Sequence, residues 1–167
     1  VDGVLVQACA PGRAQAGQML GYACSALEAY SECFGAYPWP VCTVCALPLG
    51  ISGAEYTALS MVADDLAAPE YTIAHETAHQ WWYALVGSDG WHQPWQDEAL
   101  CEFALLEYTE AQYGAGERAD LEQSRVESAM RVTVPQGVTP GSPLSAFADM
   151  SEYSLVVYSR GAAYLCA

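Results

Sequence analysis

Two histidines placed four residues apart constrain this chain more than any other feature of its sequence. They are His75 and His79 in the segment HETAH, where Glu76 directly follows the first histidine. The apolar periodicity around them predicts a helix over 69–86, and residues four apart on a helix lie one turn above each other on the same face. Both imidazoles can then reach one tetrahedral metal ion. The segment therefore predicts a helix that presents two metal ligands on one face.

The same motif predicts a general base and a third ligand. Glu76 is rotated by about 100° from His75 on the predicted helix, so it misses the metal and can take a proton from a metal-bound water. A catalytic zinc usually has three protein ligands, and Glu98 is the candidate for the third. It follows His79 after eighteen residues, where the next helix is expected to begin. We therefore expect His75, His79 and Glu98 to hold one Zn²⁺ per chain.

Patterning along the rest of the chain predicts an α+β fold, a small mixed β-sheet followed by a mainly helical lobe. We expect one domain over 1–167, with its sheet-containing part at about 1–66 and its helical zinc-binding part at about 67–167. The expected strands lie at 4–6, 41–47 and 55–62. The expected helices lie at 15–34, 69–86, 97–113, 116–131 and 152–166, and a long connecting segment is expected at 135–143.

Composition excludes several classes of partner. Twenty acids against five arginines and no lysine give a formal net charge of −15, which repels phosphate backbones and excludes nucleic acid. No apolar run approaches the ~20 residues that a membrane span needs. The chain starts at Val1 without an initiator methionine and ends inside a predicted helix. We therefore expect a piece of a longer protein that contacts further domains on its N-terminal and C-terminal sides.

The seven cysteines do not resemble the even-numbered framework of a secreted, disulfide-rich domain. Reduced thiols are the simpler expectation, and they favour a cytoplasmic location. Cys42 and Cys45 form a CxxC motif, which could be half a zinc site or a redox pair. They lie in a predicted strand, however, where positions three apart point to opposite faces. We therefore expect both to be small, buried, apolar side chains.

The segment from about Tyr37 to Leu165 resembles a known family. HETAH, eighteen residues and then a glutamate inside WQDEAL is similar to the glutamate-zincin pattern. More narrowly, it resembles the zinc aminopeptidases related to aminopeptidase N, including their bacterial M1-like branch. The resemblance implies a thermolysin-like zincin catalytic domain, here truncated, that hydrolyses peptides through a zinc-activated water. Its substrates would be peptides with a free N-terminus.

The resemblance also implies roles for residues outside the zinc motif. Gly53-Ala54-Glu55 stands where the family has a Gly-x-Met-Glu-Asn segment, whose glutamate holds the α-amino group of the substrate. Tyr158 begins a match to the Tyr-x-Lys-Gly segment, whose tyrosine stabilises the oxyanion, and Tyr153 matches a second tyrosine five residues earlier. This implies a catalytic Tyr158 and substrate contacts from Gly53, Ala54, Glu55 and Tyr153.

Several alternatives stay open at this point. Ala54 and Tyr56 replace the family's methionine and asparagine, which allows a zincin endopeptidase or another zinc hydrolase, and a non-catalytic zinc-stabilised module is a third possibility. Glu102 lies one turn beyond Glu98 and is either a partner for the second ring nitrogen of a zinc histidine or a solvated helix residue. His92, the third histidine, lies in a loop that we expect to be exposed.

Overall fold

The computed structural model describes residues 1–134 and 137–167, so Pro135 and Gln136 of the expected connecting segment lie outside the described residues. The predicted α+β class is confirmed: a four-stranded mixed sheet precedes a series of helices. The described chain divides into two compact units, residues 1–85 and 86–167. Among the described residues, none of the helices combines the length and the apolar character of a membrane span.

The first unit is built from four strands and two helices. In chain order these elements are β1 (Leu5–Cys9), α1 (Arg13–Phe34), β2 (Val41–Leu47), β3 (Gly53–Tyr56), β4 (Leu59–Ala63) and α2 (Pro69–Ala78). The strands lie side by side in the order β1-β2-β4-β3, with β1, β2 and β4 parallel and β3 antiparallel to β4. One face of the sheet is buried, because Val44 and Ala46 of β2 pack with Met19 of α1 and Ile73 of α2 in one core cluster.

The expectation of a single strand over 55–62 is wrong, because the chain reverses between Tyr56 and Leu59 to make the β3–β4 hairpin. The turn contains neither glycine nor proline, so no turn residue marks it in the sequence. Ala58 adopts a left-handed φ of 60° there. The Gln80 side chain stabilises this turn, since it accepts a hydrogen bond from the Ala58 amide at 2.7 Å and donates one to the Tyr56 carbonyl at 3.0 Å.

Helix α2 ends at Ala78, eight residues before the expected end at 86. The following residues leave the helix as a series of turns, with the Trp82 amide still bonded to the Ala78 carbonyl at 3.1 Å. The Trp81 indole N–H donates to the Gly35 carbonyl at 2.9 Å, and the Trp81 side chain is buried. His79 keeps right-handed backbone angles at the helix end, so it remains one turn beyond His75.

The elements described in the second unit are all helical. It contains α3 (Trp95–Tyr113), α4 (Ala115–Glu122), a π-helical segment (Gln123–Glu127), α5 (Ser128–Met130), a short 3₁₀ turn (Leu144–Ala146), α6 (Met150–Tyr153), a second π-helical segment (Ser154–Arg160) and α7 (Gly161–Cys166). The helices expected at 116–131 and 152–166 are therefore present, but each contains a π-helical stretch. A Cβ on Gly161 would lie 2.5 Å from the Ala99 Cβ, so α7 packs against α3 at a distance that only glycine permits.

Candidate metal centre

The two motif histidines lie together on the buried face of α2. Their ring centroids are 5.0 Å apart and their planes make an angle of 75°. Both side chains are almost completely removed from solvent, with His75 7% and His79 1% exposed. Two imidazoles in this arrangement are suitable nitrogen donors for a tetrahedral metal ion.

A backbone carbonyl orients the His79 ring. The Nδ1–H of His79 donates to the Trp82 carbonyl oxygen, with 3.2 Å between the two atoms. This hydrogen bond leaves Nε2 as the basic nitrogen, which is the usual arrangement for a metal-binding histidine. The sequence does not predict this partner, because the Trp82 carbonyl reaches the ring only where the chain leaves the helix.

Glu76 is buried between α2 and the sheet. The Ser60 hydroxyl of β4 donates to the Glu76 main-chain carbonyl at 2.9 Å, which ties this turn of the helix to the sheet. Gly53, at the start of β3, lies against the Glu76 carboxylate. A Cβ at position 53 would come within 2.3 Å of Glu76 Oε1 and 2.7 Å of Glu76 Cγ. The absence of a side chain at Gly53 therefore leaves the space that the Glu76 side chain occupies.

Glu55 joins the same cluster from the middle of β3. The nearest potential ligand atoms of Glu55, Glu76 and His79 all lie within 4.8 Å of one another. Two carboxylates and an imidazole concentrated in this way match the nitrogen and oxygen donors that zinc accepts. The two histidines of the first unit therefore supply nitrogen donors that fit a zinc ion. The carboxylates of Glu55 and Glu76 lie beside His79 and can have other roles.

Glu98 lies in the first turn of α3 in the second unit and is half-buried. Its amide donates to the Asp97 Oδ1 atom at 2.9 Å. The other oxygen of Asp97 accepts from the Ser88 hydroxyl at 2.8 Å, so the buried Asp97 holds the preceding loop to the beginning of α3. Sequence reasoning missed this role of Asp97. The place of Glu98 in the ligand set stays a prediction.

Tyr153 and Tyr158 are neighbours in the second unit. Their ring centroids are 5.5 Å apart and the planes make an angle of 82°, an edge-to-face contact. The two residues are five positions apart, which is the hydrogen-bond spacing of the π-helix that the chain forms here. Arg160 anchors this segment, since its guanidinium donates to the carbonyl oxygens of Ala129 and Val132. The roles of both tyrosines toward a substrate stay predictions.

Glu102 is not the solvated helix residue that one alternative described. Its side chain is 4% exposed and its Oε1 accepts from the Arg125 guanidinium at 2.9 Å. A contact with a zinc histidine stays a prediction. His92 is exposed, as expected, and its Nδ1 lies 2.8 Å from the Asp89 carboxylate. The Asp89 carboxylate has a hydrogen bond with this ring nitrogen and accepts a second one from the His92 amide, and both lower the pKa of Asp89.

Comparison with known proteins identifies the family of the chain. The domain described as Peptidase family M1 matches residues 19–167, which include the whole HETAH motif and Glu98. The chain belongs to peptidase family M1. The thermolysin-like zincin fold that the motif implied is therefore confirmed, as is the resemblance to the zinc aminopeptidases of this family. Among curated proteins, no sequence matches the chain.

Solved structures of the M1 family are similar to this chain. An M1 zinc metallopeptidase from Deinococcus radiodurans has 28% identity and a TM-score of 0.68, and the match covers 88% of this chain and 32% of that one. A variant from the same organism, described as bound to a Tyr-Ser-Ala substrate, has 27% identity and a TM-score of 0.63 over 85% of this chain and 31% of that one. The chain spans about a third of the length of these structures.

A more distant M1 member shares the fold. Yeast LTA4 hydrolase has 18% identity and a TM-score of 0.72, with 96% of this chain and 28% of that chain covered. The solved M1 structures from Deinococcus are zinc metallopeptidases, and the His and Glu donors found here fit the same ion. Zn²⁺ is therefore the cofactor of the M1 chain described here.

Proposed function

We propose that this M1 chain is the zinc-binding part of a metallopeptidase that removes N-terminal residues from peptides. The observation that carries the proposal is the juxtaposition of the two buried imidazoles, with ring centroids 5.0 Å apart, and the Glu55–Glu76–His79 cluster. His75, His79 and Glu98 would hold the ion. When bound, zinc lowers the pKa of a coordinated water and polarises the carbonyl of the scissile bond.

The residues of the chain supply the proton transfers. In the proposed reaction Glu76 takes the proton of the attacking water and passes it to the amine that leaves. Tyr158 donates its hydroxyl to the oxygen of the carbonyl under attack, on which negative charge develops. Glu55 accepts hydrogen bonds from the α-ammonium group of the substrate. Glu55 is half-buried and lies close to Glu76, which supports a role beside the reacting atoms.

Zinc binding tests the proposal most directly. We expect the purified chain to bind one zinc ion and the His75→Ala and His79→Ala variants to lose stoichiometric binding, because each removes a nitrogen donor. Zinc content after dialysis and the calorimetric binding isotherm measure this. His92→Ala is the matched control, since His92 is an exposed loop histidine, and it should bind zinc as the wild type does. Zinc binding that survives at wild-type affinity in His75→Ala would contradict the proposal.

The exopeptidase assignment depends on Glu55. We expect aminoacyl substrates to be cleaved faster than their N-acetylated forms by about 10- to 100-fold, because a charged hydrogen bond is lost when the ammonium is blocked. Glu55→Gln should reduce this preference and leave zinc binding intact. Fluorogenic aminoacyl and N-acetyl-aminoacyl pairs measure it. Equal cleavage of the two forms by the wild type would instead favour an endopeptidase, the alternative that Ala54 and Tyr56 leave open.

The Tyr158 hydroxyl is expected to act only on the transition state. Tyr158→Phe should lower the rate of hydrolysis about 100-fold and leave the zinc content unchanged, because removing one oxyanion donor has an effect of that size. Steady-state kinetics with zinc analysis of the same samples measures both. Tyr164→Phe, on the exposed face of α7, is the control that removes a phenol hydroxyl elsewhere. A wild-type rate in Tyr158→Phe would exclude the proposed role.

A further inference from the structure

Two cysteines far apart in the sequence lie side by side on neighbouring strands of the sheet. Cys9 is the last residue of β1 and Cys45 lies in β2, and the parallel register pairs these two residues directly. Paired residues of neighbouring strands point to the same face of a sheet. That face is the one turned away from the core. Cys42 and Val44 are buried on the core face of β2, and Cys45 points to the other face.

The register makes the two side chains neighbours. Burial together with this neighbour raises the pKa of the Cys45 thiol. Cys9 is exposed and Cys45 is half-buried, so the expectation that Cys45 is a buried side chain is wrong. Neighbouring strands are about 4.8 Å apart, which lies within the range of about 4.4–6.8 Å that a disulfide spans between Cα atoms. The sheet therefore holds the two Cα atoms at a separation that a disulfide can span.

We propose that Cys9 and Cys45 form a redox modification site, which a small-molecule disulfide such as oxidised glutathione converts into an intramolecular disulfide. The exposed Cys9 loses its proton and attacks one sulfur of the small disulfide, which releases one thiol and leaves a mixed disulfide on Cys9. Cys45 then loses its proton and attacks the Cys9 sulfur, which releases the second thiol. Two protein thiols are oxidised and one external disulfide is reduced, so that the electrons balance.

The position of Cys9 favours closure of the bond. Cβ atoms of a disulfide are about 3.5–4.5 Å apart, closer than the spacing between strands, so one strand has to shift slightly. Cys9 ends β1, and the chain continues through a turn at 10–12 into α1, which allows that shift without breaking the ladder. The CxxC partner of Cys45 is excluded, since Cys42 is buried on the opposite face of β2.

Trypsin separates the two cysteines because it cleaves after Arg13. The next cleavage site is Arg118, since the chain has no lysine and no other arginine before it. Cys9 is the single cysteine of peptide 1–13, and Cys45 lies in peptide 14–118. The wild-type chain is equilibrated with oxidised glutathione, alkylated at acidic pH, denatured and digested, and its peptides are weighed by mass spectrometry. We expect peptide 1–13 to be joined to peptide 14–118, and fragmentation on both sides of Cys45, between Thr43 and Val44 and between Leu47 and Pro48, to assign the bond to Cys45. Dithiothreitol should release both peptides.

Two substitutions test the pairing further. Cys45→Ser should abolish the joined peptide and leave 1–13 as a glutathione adduct, whereas Cys33→Ser, a control on α1, should keep the joined peptide. Because the wild-type map alone locates the bond, the test does not depend on the folding of a variant. The proposal is overturned if wild-type peptide 1–13 carries only glutathione, or if Cys9 is joined to a different cysteine. Zinc binding plays no part in this result, so it is independent of the proposed peptidase activity.

Discussion

Glu76→Gln is expected to bind zinc like the wild type and to hydrolyse peptides about 10²- to 10⁴-fold more slowly. The substitution keeps the size of the side chain and removes only its ability to accept and return a proton. Glu76 is 7% exposed and lies with Glu55 and His79 in one cluster. Bulk water therefore has little access to the site and cannot easily replace Glu76 as the proton acceptor. The rate constant kcat should carry the effect, while KM changes little, because the group acts on the transition state.

The control for this prediction lies on the same helix. Glu70→Gln makes the same change of charge in the first turn of α2, outside the cluster, and it should leave both the zinc content and the rate unchanged. Zinc content, thermal unfolding and kcat are measured on both variants. A Glu76→Gln enzyme that retains wild-type kcat would exclude Glu76 as the general base, even if the chain binds zinc.

The helix that bears the histidines could be predicted because its information is local. The i, i+4 spacing of His75 and His79 specifies a shared face whatever surrounds it, and the structure places the two rings 5.0 Å apart. The bounds of β2 are likewise the expected ones, because alternation of buried and half-buried residues is a property of the strand itself. The M1 family match confirms the fold class that these local patterns indicated.

The features that were missed depend on contacts between distant segments. The β3–β4 turn at Ala58 is stabilised by the Gln80 side chain, 22 positions later in the sequence, and no local pattern announces it. The Trp82 carbonyl binds His79 only because α2 ends early. The spacing of apolar residues does not distinguish the π-helical segment around Tyr158 from an α-helix, because the two differ by less than one residue per turn. Cys9 and Cys45 become neighbours only through the sheet register.

Gly53→Ala is expected to reduce peptide hydrolysis by about 10²-fold or more, although it adds a single methyl group outside the HETAH motif. The new Cβ would lie 2.3 Å from Glu76 Oε1 and 2.7 Å from Glu76 Cγ, so the Glu76 carboxylate has to move. A displacement of about 1 Å at a catalytic group can lower a rate about 10²-fold. Gly50→Ala is the matched control three positions earlier, since a Cβ there meets nothing within 4 Å and its backbone has no positive φ.

A double substitution distinguishes this displacement from a general loss of stability. If Gly53→Ala acts by moving the Glu76 carboxylate, adding it to Glu76→Gln should lower kcat far less than it does in the wild type, because the proton acceptor is already absent. If it acts by loosening the sheet, the two effects should multiply and Gly53→Ala should also lower Tm and zinc content. Measuring kcat, Tm and zinc content for the wild type, both single variants and the double variant separates the two. Multiplying effects would show that β3 supports the site through the fold rather than through the general base.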